Sequence, residues 1–335
     1  MRYIGAKNGK ISVFEKEKPE VLPSYVLVET EFSAISPGTE LTMSGNSQEQ
    51  IVALGYSAAG TVVEVGEGAD FEIGDRVAVY GAPYTGHREY LCVPKTLAVK
   101  VPDHVDLRQA AMGGLGAIAI HALRQADLKF GEVAVVVGLG IYGQLISQIA
   151  HQAGIVVLPL NRSAQRAELL EAISGIKSYS DEKEMEAALH KASNGKGADA
   201  VFLCVGGDST YLTNKSLEWI RDRGKSVIVG DIQPNYEREL MFGKEAEIII
   251  SRAGGPGRYD QVYEKAAVDY PYGYVRWTEG RNTGEFVRLV SEKRIIVDGY
   301  YGEDFALDDY ADAYASLDVK GAPHLTQIFN YKKGQ

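Results

Sequence analysis

Cysteine is scarce: the 335 residues contain only Cys92 and Cys204. A structural zinc site takes four ligands, commonly cysteine and histidine, so two isolated cysteines exclude a cysteine-rich one. Each lies in an apolar strand-like run, at 90–93 and 201–205. Both read as buried free thiols rather than as a disulfide or as metal ligands. An excess of positive charge is absent too. The 35 Lys and Arg residues face 45 Asp and Glu, for a formal net charge of −10, which argues against the basic face that nucleic acids require. No apolar run is clean enough to span a bilayer. The longest apolar stretch, 133–160, is broken by Gln144, Ser147, Gln148, His151 and Gln152. The opening residues, MRYIGAKNGKISVFEKEK, lack the apolar core of a signal peptide. These absences predict a cytoplasmic, metal-poor protein with neither a nucleic-acid nor a membrane partner.

What is present is an ordinary globular balance, 45% hydrophobic and 24% charged, at a length that suggests about two domains. Residues 1–115 are rich in short β-branched or alternating runs: PSYVLVETEFSAIS, AAGTVVEVGEG, DRVAVYG and REYLCVP. Pro37-Gly38, Gly66, Gly68, Gly74 and Gly81 punctuate them, a spacing that predicts a sandwich or barrel. Over 116–254 the rhythm changes. Strand runs VAVVVG, VVLPL, ADAVFLCVGG, SVIVGD and AEIIIS alternate with helical runs GQLISQIAHQAG and SAQRAELLEAI, which predicts βαβ units and a parallel sheet. Residues 255–335 open on a Gly/Tyr/Arg-rich loop with room for a short helix. Two amphipathic helices, TGEFVRLVSEKRI and LDDYADAYASL, and a last strand, LTQIFNY, follow.

The sharpest motif is Gly138-Leu139-Gly140-Ile141-Tyr142-Gly143. It follows the apolar strand 133–137 and opens the helix 144–151, the context that a dinucleotide fingerprint requires. The first glycine makes the turn, the second admits the pyrophosphate, and the third lets helix and strand close up. The helix N-terminus then offers free N–H groups to phosphate. The plain alternative is a strand–helix turn without a ligand. Val205, Gly206 and Gly230, after later strands, are further expected cofactor contacts. An NAD site puts Asp or Glu at the end of the second strand, but Leu160-Asn161-Arg162-Ser163 stands there. Asn161 does not repel a 2′-phosphate. Arg162, Arg166 and Ser163 can bind one; otherwise Arg162 is a surface residue stacked on adenine. The cofactor expected is NADP(H), with Arg162 as the main discriminator.

The blocks Ala58-Ala59-Gly60-Thr61-Val62-Val63-Glu64-Val65-Gly66 and Phe71-Glu72-Ile73-Gly74-Asp75-Arg76-Val77 resemble a signature of the medium-chain dehydrogenase/reductase family. Glu89-Tyr90, Val93-Pro94 and Val101-Pro102-Asp103 fit the stretch that follows. The resemblance covers nearly the whole chain. It implies an α/β fold: a GroES-like β-rich catalytic domain plus a Rossmann doubly wound parallel sheet, with the C-terminal segment returning to the first domain. It also implies what is missing. Zinc-bearing members carry Cys-Gly-Ser/Thr-Asp where this chain has Pro37-Gly38-Thr39-Glu40, and Gly-His-Glu where it has Gly55-Tyr56-Ser57. Their later cysteine ligand falls near Gly113, and their four-cysteine lobe is replaced by the short loop GAPYTGHR. No zinc is therefore expected. The runs 36–40, 255–260 and 269–279 resemble a subgroup with bacteriochlorophyllide dehydrogenase-like proteins and the dehydrogenase halves of two-domain oxidoreductases.

Without zinc, another group must handle the proton. Tyr56 occupies a former ligand position and is the first acid/base candidate, or else a packing tyrosine. Glu40 either bonds a substrate hydroxyl or caps a helix beginning near Leu41. His87 suits a proton relay or is a surface loop histidine. Thr39, Arg252, Tyr259 and Arg276 are candidate substrate contacts, the arginines interleaved with aromatics that can hold a polar or anionic ring; otherwise they belong to a polar crossover loop. Three functions stay open: a zinc-independent NADP(H)-dependent oxidoreductase of a sugar- or cyclitol-like carbonyl or alcohol, a quinone- or enone-type reductase of an activated C=C bond, and a non-catalytic NADPH-binding redox sensor. The segment 246–251 reads as an apolar edge strand, which predicts a homodimer joined through the Rossmann sheets.

Overall fold

The alternating runs of the first hundred residues form strands β1 (Arg2–Lys7), β2 (Lys10–Glu15), β3 (Tyr25–Ala34), β4 (Val52–Ala53), β5 (Ser57–Val65), β6 (Arg76–Tyr80), β7 (Tyr90–Pro94) and β8 (Ala98–Lys100), with helix α1 (Pro37–Gly45) between β3 and β4. They are seen in a computed structural model that describes residues 1–317 and 321–333. One antiparallel sheet has the order β2-β1-β4. In the other, β3 is the hub. Its ten residues pair with β5, with β7 and with Ile328–Asn330 near the C-terminus. Because side chains alternate across a strand, Val26, Val28, Ala58, Val62, Val77, Val79, Leu91 and Val93 all reach the same core. Helix α1 starts at Pro37, earlier than the position near Leu41 that the sequence suggested. Proline has no N–H to lose and a preset φ, so it fits the first helical position.

The chain divides into two compact units: 1–117 with 254–293 and 297–335, and 118–253 with 294–296. The division falls within α3 (Gly113–Ala126), which follows the short α2 (Leu107–Ala110). In the second unit come β9 (Val133–Val137), α4 (Ile141–Gln152), β10 (Val156–Leu160), α5 (Ala164–Ser174), α6 (Glu182–Ala192), β11 (Ala198–Leu203), α7 (Thr210–Trp219), β12 (Ile220–Ile228), α8 (Arg238–Lys244) and β13 (Glu247–Ile250). The sheet is parallel throughout, in the order β10-β9-β11-β12-β13. All five residues of β9 are buried, as expected of a strand covered on both faces. The chain leaves β9 toward one edge and returns for β11 on the other side. The order therefore reverses at β9, the place where doubly wound sheets bind their ligands.

The remaining elements are α9 (Glu279–Ser291), α10 (Tyr310–Leu317) and β14 (Ile328–Asn330). Among the described residues the loop before α9 has no helix, although the sequence left room for one. Both cysteines are free but only half-buried, against the full burial expected. No helix among the described residues is long and apolar enough to cross a membrane.

One buried network fastens the C-terminal segment to the first strands. Glu40 and His87 have no exposed surface, and His87 Nε2 lies 2.9 Å from Glu40 Oε2. A carboxylate only accepts, so Nε2 carries the hydrogen. Glu40 also accepts from the Ser36 N–H at 2.7 Å and from the Tyr314 hydroxyl of α10. On the other ring nitrogen, Ser33 Oγ lies 2.7 Å from His87 Nδ1 and 3.0 Å from the Tyr331 hydroxyl. Gly55 makes room for this histidine. Its φ is +84°, and a Cβ there would lie 2.7 Å from the His87 backbone nitrogen and 2.8 Å from carbons of its ring. Glu40→Ala would strand three donors at once. At about 1–3 kcal/mol for each buried unsatisfied group, we expect a loss of about 3 kcal/mol or more in urea unfolding. Tyr314→Phe should cost about 1.5–3 kcal/mol, as for one bond to a charged group. Losses under about 0.5 kcal/mol in both would mean that this network does not anchor the segment.

Candidate functional site

The glycine turn joins β9 to α4 at the point where the strand order reverses. Gly138 has φ +92°, and a Cβ there would lie 2.5 Å from the Val205 side chain. A Cβ on Gly143 would lie 1.9 Å from the Gly138 carbonyl oxygen, so α4 can approach the strand only because Gly143 has none. Gly140 is the N-cap of α4 and has no side chain to cap it, and the first amides of a helix have no partner within the helix. Ile141 and Gly143 are buried and Tyr142 is half-buried. Val205 and Gly206 follow β11, and Gly230 follows β12. A Cβ on Gly230 would lie 2.1 Å from the Val205 carbonyl. These residues thus line the carboxyl ends of adjacent strands, with Gly206 exposed.

At the end of β10 the structure redistributes the expected roles. Asn161 is occupied by the turn itself. Its Oδ1 accepts from the Leu139 N–H at 2.9 Å, and its Nδ2 donates to the Ser163 carbonyl at 3.2 Å. Arg162 is exposed. Ser163 is the N-cap of α5 and makes no side-chain cap bond. Arg166, one turn into α5, lies over the glycine turn: a Cβ at Gly140 would meet its Nη1 at 3.7 Å. Burial lowers the pKa of this guanidinium, and no carboxylate offsets it. A partly desolvated cation without a counter-charge is costly, and an anion at the turn would relieve that cost.

In the first unit, Tyr56 is half-buried, and its ring meets Tyr80 edge-on with centroids 6.0 Å apart. Ser57, in the acidic neighbour's place, donates to the Ala111 carbonyl at 2.6 Å and accepts from the Gly114 N–H at 2.8 Å. It pins the start of α3. Thr39 is exposed on α1. Glu40 and His87 need correction as substrate-contacting groups. Neither has exposed surface, and each is bonded to the other. His87 is not a surface loop residue either. Of the positions matched to zinc ligands, Pro37 and Gly113 carry no donor side chain and Tyr56 carries a phenol. Among the described residues, no three His, Cys, Asp or Glu side chains are grouped to hold a metal. The residues present do not fit a catalytic zinc.

Arg252 and Tyr259 are exposed, and so is Arg276, whose guanidinium lies 3.7 Å from the Trp277 ring centroid and 4.6 Å from that of Tyr272. Stacking holds the Arg276 plane while leaving its edge to solvent. The sequence reading missed Glu279. This carboxyl is fully buried at the start of α9, and neither oxygen has a hydrogen-bond donor. Burial pushes its pKa up to about 9; Arg258 pulls it down and Glu264 pushes it further up. Its one visible signal was an acid just before an amphipathic helix, a position that usually lies in solvent.

The described geometry has counterparts among known proteins. The family model for the alcohol dehydrogenase GroES-like domain matches residues 23–103, and that for the zinc-binding dehydrogenases matches 142–267. A 2-dehydro-3-deoxy-L-galactonate 5-dehydrogenase of Pseudoalteromonas atlantica is 24% identical over 84% of this chain and 84% of its own. A sorbitol dehydrogenase of Halalkalibacterium halodurans is 25% identical over 84% of this chain and 95% of its own. The crystal structure of a putative zinc-binding dehydrogenase from Sinorhizobium meliloti, bound to NADP, superposes with a TM-score of 0.77 at 20% identity, covering 98% of each chain. The two family models together span more than half of the sequence, and the chain belongs to the medium-chain dehydrogenase/reductase superfamily of oxidoreductases.

Proposed function

We propose that this chain is a zinc-independent, NADP(H)-dependent oxidoreductase that moves a hydride to or from the carbonyl or alcohol carbon of a polar, sugar- or cyclitol-like substrate. The observation that carries the reading is the unneutralised Arg166 guanidinium over a glycine turn that starts a helix without a side-chain cap. The pyrophosphate would be held by the amides of Ile141, Tyr142 and Gly143. The 2′-phosphate would be held by Arg166, with Arg162 and Ser163 beside it. When bound, the nicotinamide supplies the hydride. The protein then has to position the substrate and supply or remove a proton. Tyr56 is the proposed acid and base, and Thr39, Arg252, Tyr259 and Arg276 are proposed substrate contacts. Relatives named for a hexitol and a sugar acid support a polyol substrate. A second reading, reduction of an activated C=C bond, draws support from the lack of a fitting zinc ligand set, because that reaction needs no Lewis acid. The two half-buried free thiols fit a reducing, cytoplasmic compartment.

NADPH oxidation with D-fructose and acetoin on one side, and 2-cyclohexenone on the other, separates the two readings by product. NADPH binding with no turnover of any of the three would leave only a sensor. Elemental analysis should find no stoichiometric zinc, and chelators should leave turnover unchanged. About one zinc per chain, removable with loss of activity, would end the zinc-independent reading.

The cofactor preference is expected to rest more on Arg166 than on Arg162. Charge-assisted bonds contribute about 1.5–3 kcal/mol, or roughly ten- to hundredfold in affinity. Fluorescence titration should show Arg166→Met losing about that factor for NADPH with NADH little changed, and Arg162→Ala losing less. Equal loss of both cofactors in Arg166→Met would show that the guanidinium serves the fold and not the phosphate.

We also infer a homodimer through β13. It is the edge strand of its sheet, and Ile250 and, on the preceding helix, Phe242 are 68% and 76% exposed. An exposed apolar edge invites pairing with a second copy. Light scattering at micromolar concentration should give a dimer mass for the native chain and a monomer mass for Ile250→Lys. A native monomer would refute the assembly.

A further inference from the structure

Gln144 is one of the polar residues that interrupt the apolar stretch 133–160. It lies in the first turn of α4, and its side chain has no exposed surface. Its amide nitrogen donates to two carbonyls, that of Leu139 in the glycine turn at 3.4 Å and that of Arg166 in α5 at 3.0 Å. Asn161 makes a matching pair of bonds. Its Oδ1 accepts from the Leu139 N–H at 2.9 Å, and its Nδ2 donates to the Ser163 carbonyl at 3.2 Å. Two side-chain amides thus hold Leu139 by both its N–H and its carbonyl, and reach from there to the N-cap and the third residue of α5. Ser163 adds no side-chain cap bond of its own. The four bonds fix the distance between the glycine turn and the start of α5, the element that carries Arg166. The Arg166 guanidinium spans that distance, since its Nη1 would lie 3.7 Å from a Cβ on Gly140. One further feature sets Gln144 apart. Its Oε1 is buried and has no hydrogen-bond partner among the described residues. An unsatisfied buried acceptor destabilises the fold, so an apolar side chain of the same length would pack here as well. Packing alone gives no reason for an amide at this position; the bond to the Arg166 carbonyl gives one.

We propose that Gln144 and Asn161 form a double amide clamp that positions Arg166 for the 2′-phosphate, so that Gln144 determines cofactor specificity by acting through Arg166. The role rests on the NADP(H) reading above. A guanidinium meets phosphate oxygens with its planar fork of donors, and the fit depends on angle as well as distance. With the Arg166 backbone tied to the glycine turn, the fork is delivered to one place beside the pyrophosphate amides. Without the tie, the first turn of α5 can move away from the glycine turn, and the contact is lost first where it is most directional. NADH carries no 2′-phosphate, so its binding does not draw on this placement. Gln144 is a positioning residue in this scheme.

Fluorescence titration of the intact chain with NADPH and with NADH tests the clamp. Gln144→Met keeps the length of the side chain and removes both of its bonds. It should weaken NADPH binding about tenfold, the lower end of what a charge-assisted contact contributes, and leave NADH little changed. The urea midpoint should stay close to that of the native chain, because the unpaired Oε1 is removed together with the two bonds. Gln144→Leu, a second apolar replacement, should show the same split between the cofactors. In an Arg166→Met background, Gln144→Met should have little further effect on NADPH, since both substitutions act on one contact and their effects then do not add. A preference for NADPH that survives in both Gln144 variants would overturn the clamp. So would losses that simply add in the double variant. Equal weakening of both cofactors, or a chain that no longer folds with either replacement, would make Gln144 a residue of the fold alone. A native chain with no preference for NADPH would refute the cofactor reading and this role with it, whereas a preference lost in Arg166→Met but kept in Gln144→Met would refute the clamp by itself.

Discussion

A carboxylate taken out of water has to be given donors, and the first unit is organised around meeting that requirement for Glu40. Its donors come from far apart in sequence: Ser36 beside it, His87 in the loop before β7, and Tyr314 in α10. Each donor brings its own element. Through His87 and Ser33 the network reaches Tyr331, just past the strand that pairs with β3. A stretch of chain that passes through another unit between 118 and 253 is thereby returned and fixed. Packing of apolar side chains would tolerate several registers of such a segment, since it is non-directional. Hydrogen bonds to one buried carboxylate accept only one, because a misplaced donor would leave a charged group unsatisfied.

The second unit is built on a different constraint. A parallel sheet needs a crossover for each strand, and the right-handed crossover carries every connection over a face of the sheet. Reversing direction at β9 leaves the carboxyl ends of β9 and β11 open between departing chains. The turn filling that place is packed so tightly that Gly138 and Gly143 admit no side chain. Asn161 ties the turn to the end of β10 through the Leu139 N–H. What the fold leaves unfilled there is electrostatic: the positive end of an uncapped helix and the cation of Arg166, both of the same sign.

The parts legible in the sequence were those set by neighbours along the chain. Alternating strands, the helix–strand rhythm and the glycine turn all come from residues a few positions apart, and local backbone chemistry decides them. The Pro37 and Tyr56 replacements were legible in the same way, as single substitutions in short motifs. The Glu40 network was not, since its partners stand 47 and 274 residues away and no periodicity links them. Asn161 shows a subtler limit. Its lack of charge was readable, but the sequence could not tell that its amide is bonded to the turn. Glu279 was missed because acids at helix starts are usually solvated. Segments distant in sequence, among them 254–264 and β6, bury this one.

Three ionisable groups, two buried and one half-buried, differ in what surrounds them. Glu40 is matched to its donors, so a ligand would not improve its surroundings; its role is to hold the fold. Arg166 lacks an anion, and a bound phosphate would lower its energy. Glu279 lacks donors, and a proton lowers its energy instead, at the expense of a carboxyl that ionises with difficulty. Folding alone would favour replacing such groups with apolar ones of similar volume. A group left mismatched inside a packed unit marks a place where a partner of opposite character would lower the energy, an anion for Arg166 and a proton for Glu279.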